Sequence, residues 1–293
     1  MNSTTPQASP AFLSSEYQPS PPEKAFFHII PVPLERTVSY GGGTKEGPSH
    51  ILDASQQLEA WDGISAPGTL GIYTHPAVNC DQPLPNVFAD TEEAVLAASK
   101  VDAVPVVLGG EHTVSYAPIH TLCKAGKHFG ILHFDAHCDL RSSYEGDRFS
   151  HACVLRRVIE DCGLPLVQFA TRDYCQEEAD IRIEAGITAY DADKLAAEGL
   201  PQSPLPADFP KDVYVTFDVD GFDSSLMPAT GTPSPGGLFW HQAMHILSVC
   251  LAGRRLIGFD VVELAPIAGL HHADYTAAKL VHMLMGLAQR SRA

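Results

Sequence analysis

The sequence predicts an α/β protein: three layers, α/β/α, around a mostly parallel central sheet. Two observations carry that prediction. Short, near-continuous apolar runs, rich in β-branched and aromatic residues, recur along the chain, and stretches of helical period separate them. Runs of that kind suit strands buried on both faces of a parallel sheet, and their alternation with helices suits one α/β unit.

Taken in order, residues 1–24 are rich in Ser, Pro, Thr and Gln, with Phe12 and Leu13 as the large apolar exceptions. They are expected to form a flexible tail, or an arm ordered by a partner subunit. Strands are expected at 25–32, 104–108, 128–134, 166–170, 213–217 and 256–262, and helices at 91–100, 113–125, 151–162, 240–252 and 274–290. The Pro-rich stretch 199–210 reads as a surface loop. No repeat or linker divides the remainder, so 25–293 is expected to be a single catalytic domain.

Bulk composition narrows the function. The chain has 293 residues, 45% of them hydrophobic and 18% charged, which is ordinary for a globular protein with a sizeable core. A formal charge of −16 argues against nucleic acid and anionic membrane as partners, and would steer cationic small molecules toward an acidic cleft. Seven cysteines without a CxxC pair suggest reduced thiols and a cytoplasmic home. No secretory signal is expected at the N-terminus, and no apolar run approaches the roughly 20 residues of a membrane helix.

The chemistry lies where acids and histidines follow strands. His112 follows the run ending at Leu108, within Gly109-Gly110-Glu111-His112. Asp135, His137 and Asp139 follow Phe134, Asp218 and Asp220 follow Phe217, and Glu263 ends the last strand. Ligand crevices of open α/β sheets lie outside the carboxyl ends of the strands. Residues at i, i+2 and i+4 of an extended chain project to one side, so each group could converge. Alone, each is ambiguous: Asp-x-His-x-Asp could be a turn or a single metal site, and His112 a helix-start histidine. Together they would bury many carboxylates without counter-charge. Two divalent cations balance the four aspartates, with two neutral imidazoles completing the shells. Oxygen-rich ligands with two histidines suit Mn2+, with Co2+, Ni2+ or Fe2+ as alternatives. Two such ions sharing a water would generate a hydroxide nucleophile near neutral pH.

These segments resemble the ureohydrolase family of arginases and agmatinases, with prokaryotic agmatinases the nearest likeness. The matching residues are Gly109-Gly110-Glu111-His112-Thr113, Asp135-Ala136-His137-Cys138-Asp139 and Phe217-Asp218-Val219-Asp220-Gly221-Phe222-Asp223. Gly231-Thr232-Pro233, Pro235-Gly236-Gly237, Asp260-Val261-Val262-Glu263 and the early Ser39-Tyr40-Gly41 stretch extend the likeness from about residue 25 to the C-terminus. The resemblance implies an arginase-like fold and two Mn2+ per subunit. His112 and Asp139 would hold one ion and His137 and Asp220 the other, with Asp135 and Asp218 bridging. It further implies that Glu263 holds the guanidinium, that His151 shuttles a proton, and that the subunits form trimers or hexamers. Asp223 is expected to fix its loop.

The chain departs from the family in Gly221-Phe222-Asp223-Ser224, where Gly-Leu-Asp-Pro is frequent, and in Ala152-Cys153 after His151, where many members carry Gly. Loop 140–150 lacks the Asn and the Thr/Ser-rich run with which arginases bind the amino-acid end of arginine. The expected reaction is therefore agmatine to putrescine and urea, a step of polyamine biosynthesis, with Glu145 and Asp147 as candidates to meet the far amine. The alternatives are guanidinobutyrate, guanidine or arginine as substrate, a carboxylate-ended one being supported if Arg141 or Arg148 faces the pocket. Less favoured are a single-zinc deacylase of the same fold and a non-catalytic binding subunit.

Overall fold

The computed structural model describes residues 10–292. Its strands are β1 (Phe27–Val32), β2 (Ile72–Thr74), β3 (Val104–Gly109), β4 (Gly130–Phe134), β5 (Leu166–Phe169), β6 (Thr188–Tyr190), β7 (Asp212–Asp218) and β8 (Arg255–Val262). The helices are α1 (Gly47–Ser55), α2 (Leu84–Lys100), α3 (Tyr116–Lys124), α4 (Val154–Cys162), α5 (Gln176–Glu184), α6 (Ala192–Glu198), α7 (Trp240–Leu251) and α8 (His271–Arg290). Among the described residues the strands form one sheet in the order β2-β1-β3-β8-β7-β4-β5-β6, every pairing parallel.

Alternation along each strand feeds two cores. Val104, Val106 and Leu108 of β3, with Val213, Val215 and Phe217 of β7, face a core closed by α1, α7 and α8. Val107 and Tyr214 point the other way, into a core closed by α2, α3 and α4. This is the expected three-layer arrangement, with both sheet faces covered.

All six expected strands and all five expected helices are present. The additional strands β2 and β6 each have three residues and lie at the edges of the sheet, where one neighbour suffices. Helix α2 begins at Leu84, seven residues before its expected start, because Pro85 sits in the first turn, where proline is tolerated.

The N-terminal segment differs from its expectation. Residues 1–9 lie outside the described residues, but residues 10–24 pack on the chain's own body instead of forming a tail. Phe12 and Leu13 are buried, the Phe12 N–H donates to Thr74 Oγ1 (3.0 Å) and the Leu13 N–H to Ser55 Oγ (2.9 Å). Two large side chains at about 1.5–3 kcal/mol each outweigh a polar average over the segment. Phe12→Ala is accordingly expected to lower unfolding free energy by about 3–5 kcal/mol. The check is the urea midpoint; an unshifted midpoint would mean that the arm does not contribute.

Candidate metal centre

Four adjacent central strands, β3, β8, β7 and β4, end on one edge, and each hands a polar residue to it. Two glycines permit the close approach. A Cβ on Gly110 would lie 2.0 Å from the Leu34 carbonyl oxygen, so only glycine lets the chain after β3 turn there and aim His112 inward. A Cβ on Gly221 would lie 2.9 Å from the Asp135 nitrogen, so glycine also lets the ends of β7 and β4 meet. Asp139 (φ 54°) and Glu263 (φ 65°) hold left-handed backbone, a strain of about 1–3 kcal/mol each that the surrounding packing sustains.

The six expected ligands fall into two adjoining clusters. His112 Nδ1 lies 3.1 Å from Asp135 Oδ2, 3.0 Å from Asp139 Oδ2 and 3.5 Å from Asp218 Oδ2. His137 Nδ1 lies 3.3 Å from Asp135 Oδ1 and 3.1 Å from Asp220 Oδ2. Asp135 thus offers one oxygen to each cluster. Asp218 Oδ2 faces the first, while its Oδ1 accepts the Asp220 N–H (2.8 Å).

The protonation pattern shows that these residues fit a cation. Thr216 Oγ1 donates to Asp260 Oδ1 (2.7 Å) and so accepts from His112 Nε2 (2.9 Å). Nε2 of His112 therefore carries a proton, so the neutral ring turns the lone pair of Nδ1, buried, facing carboxylates and without a hydrogen-bond partner, toward the acid cluster. Lone pair against carboxylate is repulsive unless a positive charge lies between them. Burial would depress the His112 pKa, yet Asp135, Asp139 and Asp218 carry it well above its ordinary value. Burial, then the charges of Asp220 and Asp135, push the Asp218 carboxyl well above the carboxylate range. Both shifts express the same surplus of negative potential.

Glu263 and His151 face the same cavity, of about 250 Å3, as His112, His137, Asp139, Asp218 and Asp220. Glu263 Oε1 accepts the His112 N–H at 2.6 Å, and burial, with the charge of Glu111, raises its pKa well above the usual range. His151 begins a short 3-10 turn before α4 and lines the cavity with Nδ1 3.1 Å from Thr37 Oγ1. Thr37 also contacts Glu111 Oε1 (3.1 Å). Because a carboxylate is the stronger acceptor, the Thr37 hydroxyl goes to Glu111 and accepts from His151 Nδ1–H.

Of the remaining expectations, Asp223 fixes its loop by accepting from the Ser225, Gly236 and Gly237 amides. Asp147 pairs with Arg36 (3.2 Å) and Arg148 with Glu160 (3.6 Å); neither they nor Glu145 line the cavity. Arg141 does line it, but its guanidinium lies over the Tyr144 ring (5.3 Å to the centroid) with Nε 3.8 Å from Glu178. Asp173, exposed, also lines the cavity. Sequence reading passed over Thr37, Glu111, His133, Gln168, Thr216 and Asp260. Most of their partners are remote in the chain; Glu111, next to His112 in a recognised motif, and His133, two residues before Asp135, carried a local signal.

A parallel α/β/α sheet with paired acid–imidazole clusters across its central strand ends defines a metal-dependent hydrolase. The chain belongs to the arginase family, whose model matches residues 25–286. It is 36% identical over 289 residues to the N(1)-aminopropylagmatine ureohydrolase of Synechocystis sp., covering 94% of this chain and 92% of the relative. It is 33% identical over 270 residues to the agmatinase of Pyrococcus horikoshii, covering 91% and 93%. The agmatine ureohydrolase structure of Thermoplasma volcanium superposes with a TM-score of 0.85 at 25% identity, over 97% of this chain and 96% of that one. The chain is an amidinohydrolase of the metal-dependent kind, and its family implies a binuclear centre.

Proposed function

We propose that this chain hydrolyses the guanidinium of an agmatine-type amine to urea and the free amine, with agmatine giving putrescine. The observation that carries the reading is Asp135, with one carboxylate oxygen in each of two adjoining ligand clusters. His112 and Asp139 would hold one ion and His137 and Asp220 the other, Asp135 and Asp218 being shared. Mn2+ is the ion that the donor set favours, ahead of Ni2+, Co2+ or Fe2+. When bound, the pair would lower the pKa of a water between them and so supply a nucleophile near neutral pH.

The chain's own residues do the rest. Glu263, with Oε1 fixed on the His112 amide, presents its second oxygen to a guanidinium N–H and holds the substrate carbon in place. His151, anchored through Nδ1 on Thr37, has Nε2 left to pass a proton to the departing amine nitrogen. On the cavity wall Arg141 is compensated by Glu178 and Tyr144, while Asp173, exposed, lies open to a cation. That balance favours an amine-ended substrate over a carboxylate-ended one. Residues 25–293 would form one catalytic domain, in trimers or hexamers. A cytoplasmic home goes with this reading, in keeping with seven free cysteines; no described helix is long and apolar enough to cross a membrane.

A second reading keeps the reaction and lengthens the substrate: the Synechocystis relative's name specifies N(1)-aminopropylagmatine, whose extra amine Asp173 could meet. The test is urea release from agmatine, N(1)-aminopropylagmatine, arginine, guanidinobutyrate and guanidine, with Mn2+, Ni2+ and Co2+ supplied separately. Either agmatine-type amine should exceed arginine and guanidinobutyrate by about tenfold or more, within the range over which single pocket contacts discriminate substrates. Preference for guanidinobutyrate or guanidine would overturn the substrate class, and one zinc per chain would favour a deacylase.

A further inference from the structure

His133 lies on β4, two residues before Asp135, with its ring fully buried and Nε2 2.8 Å from Asp135 Oδ2. One ligand atom from each of His112, His133, Asp135 and Asp139 can be chosen so that all lie within 4.8 Å of one another. Distance alone would therefore make His133 a seventh metal ligand. The hydrogen bonds behind it say otherwise.

Gln168 on β5 stands directly opposite His133 in the strand register. Its Oε1 accepts from Arg182 Nε (2.8 Å), and its Nε2 donates to the Cys138 carbonyl (2.8 Å). A guanidinium can only donate and a carbonyl can only accept, so the sense of the amide is determined. The second amide hydrogen then points at His133 Nδ1, 2.9 Å away. Nδ1 must accept, which leaves the ring proton on Nε2, donated to Asp135. A nitrogen that carries a proton has no lone pair for a metal. Arg182 is itself held by Asp191 (2.9 Å) and by Thr171, so the chain of donors is anchored on paired groups.

We propose that His133 is a neutral positioning residue, protonated on Nε2, that turns the Asp135 carboxylate so that its two oxygens serve different clusters, and that Gln168 and Arg182 hold that tautomer. The inference rests on the reading of Asp135 as the shared ligand. On the other oxygen the His137 N–H donates to Asp135 Oδ1 at 2.5 Å. The carboxylate is thus pinned from both sides, and its plane cannot rotate to give both oxygens to one ion.

The proton can be located directly in full-length protein labelled with 15N-histidine and loaded with Zn2+, which is diamagnetic. His133 signals, assigned by their absence in His133→Phe, should show a protonated Nε2 and a bare Nδ1. A proton on Nδ1 overturns the proposal. In Gln168→Glu, which keeps Arg182 paired but cannot donate, Nδ1 should gain a proton; an unchanged Nδ1 overturns the role of Gln168. His133→Phe itself should still bind two Zn2+, about 10–100-fold more weakly, as expected for loss of a group that orients a ligand. Wild-type affinity, or loss of one whole equivalent of Zn2+, each overturns it. Should His133→Phe not fold, His133→Asn serves for assignment and the wild-type spectrum still decides. The spectrum reads a proton position, so its failure is distinct from failure of the proposed reaction, which urea release reads.

Discussion

Asp135→Asn is expected to cut urea release by at least about a thousandfold, the scale of losing one member of a catalytic unit that acts together. Metal content should fall from two ions per chain toward one. The reason is geometric. Asp135 Oδ2 stands with His112 and Asp139, and Oδ1 with His137 and Asp220, so a single substitution touches both clusters. Asparagine keeps the volume and one acceptor, but it removes the charge and turns an N–H toward one cluster. A donor aimed at a cation site is worse there than an empty space. The fold itself should survive. Without metal the edge already holds surplus negative charge, as the raised Asp218 carboxyl shows, and the substitution relieves part of it. Metal analysis together with initial rates on agmatine in Mn2+ checks this. Two tightly held ions and more than a tenth of wild-type activity would rule out Asp135 as the shared ligand.

The edge on which Asp135 sits was legible in the sequence for a physical reason. A strand buried on both faces must be apolar throughout, so Phe134-Asp135 and Phe217-Asp218 mark where burial by the sheet ends and a crevice begins. The topology sharpens this, because β3, β8, β7 and β4 are contiguous in the sheet although they are far apart in the chain. What composition could not convey was packing that depends on one or two residues. Phe12 and Leu13 dock a segment that is otherwise polar, and α5 buries Glu178 and Arg182, which a hydrophobic pattern counts as surface. Those two charged residues are stable inside because each is paired: Glu178 accepts the Leu140 and Cys175 amides, and Arg182 meets Asp191.

The supporting residues around the ligands were illegible for a different reason. His133 sits in an apolar run and reads as one more strand position until β4 and β5 are placed side by side, which brings Gln168 opposite it. Thr216 and Asp260 meet only because β7 and β8 are neighbours. Glu111 reaches Thr37 across 74 residues of chain. Motif spacing finds side chains that converge from one strand end; the groups that orient them come from the next strand over.

Glu263→Gln separates holding the substrate from holding the metal, and it should leave two ions bound. Glu263 touches His112 through the backbone amide (2.6 Å), so a Gln oxygen can keep that bond and the position of the imidazole with it. What the substitution destroys is the charge offered to the guanidinium. Breaking a buried pair by neutralising one partner costs about 3–5 kcal/mol, which corresponds to a loss in kcat/KM on the order of a hundred- to several thousandfold. The Gln amide nitrogen makes matters worse, because it sets N–H against N–H. The division of the loss between kcat and KM reports where the pair matters. A rise confined to KM would mean that Glu263 only captures the cation, whereas a fall in kcat would mean that it also fixes the guanidinium carbon against the attacking oxygen. Loss of a metal ion on substitution would instead assign Glu263 to the support of His112, and the left-handed backbone at φ 65° would then serve the cage rather than the substrate.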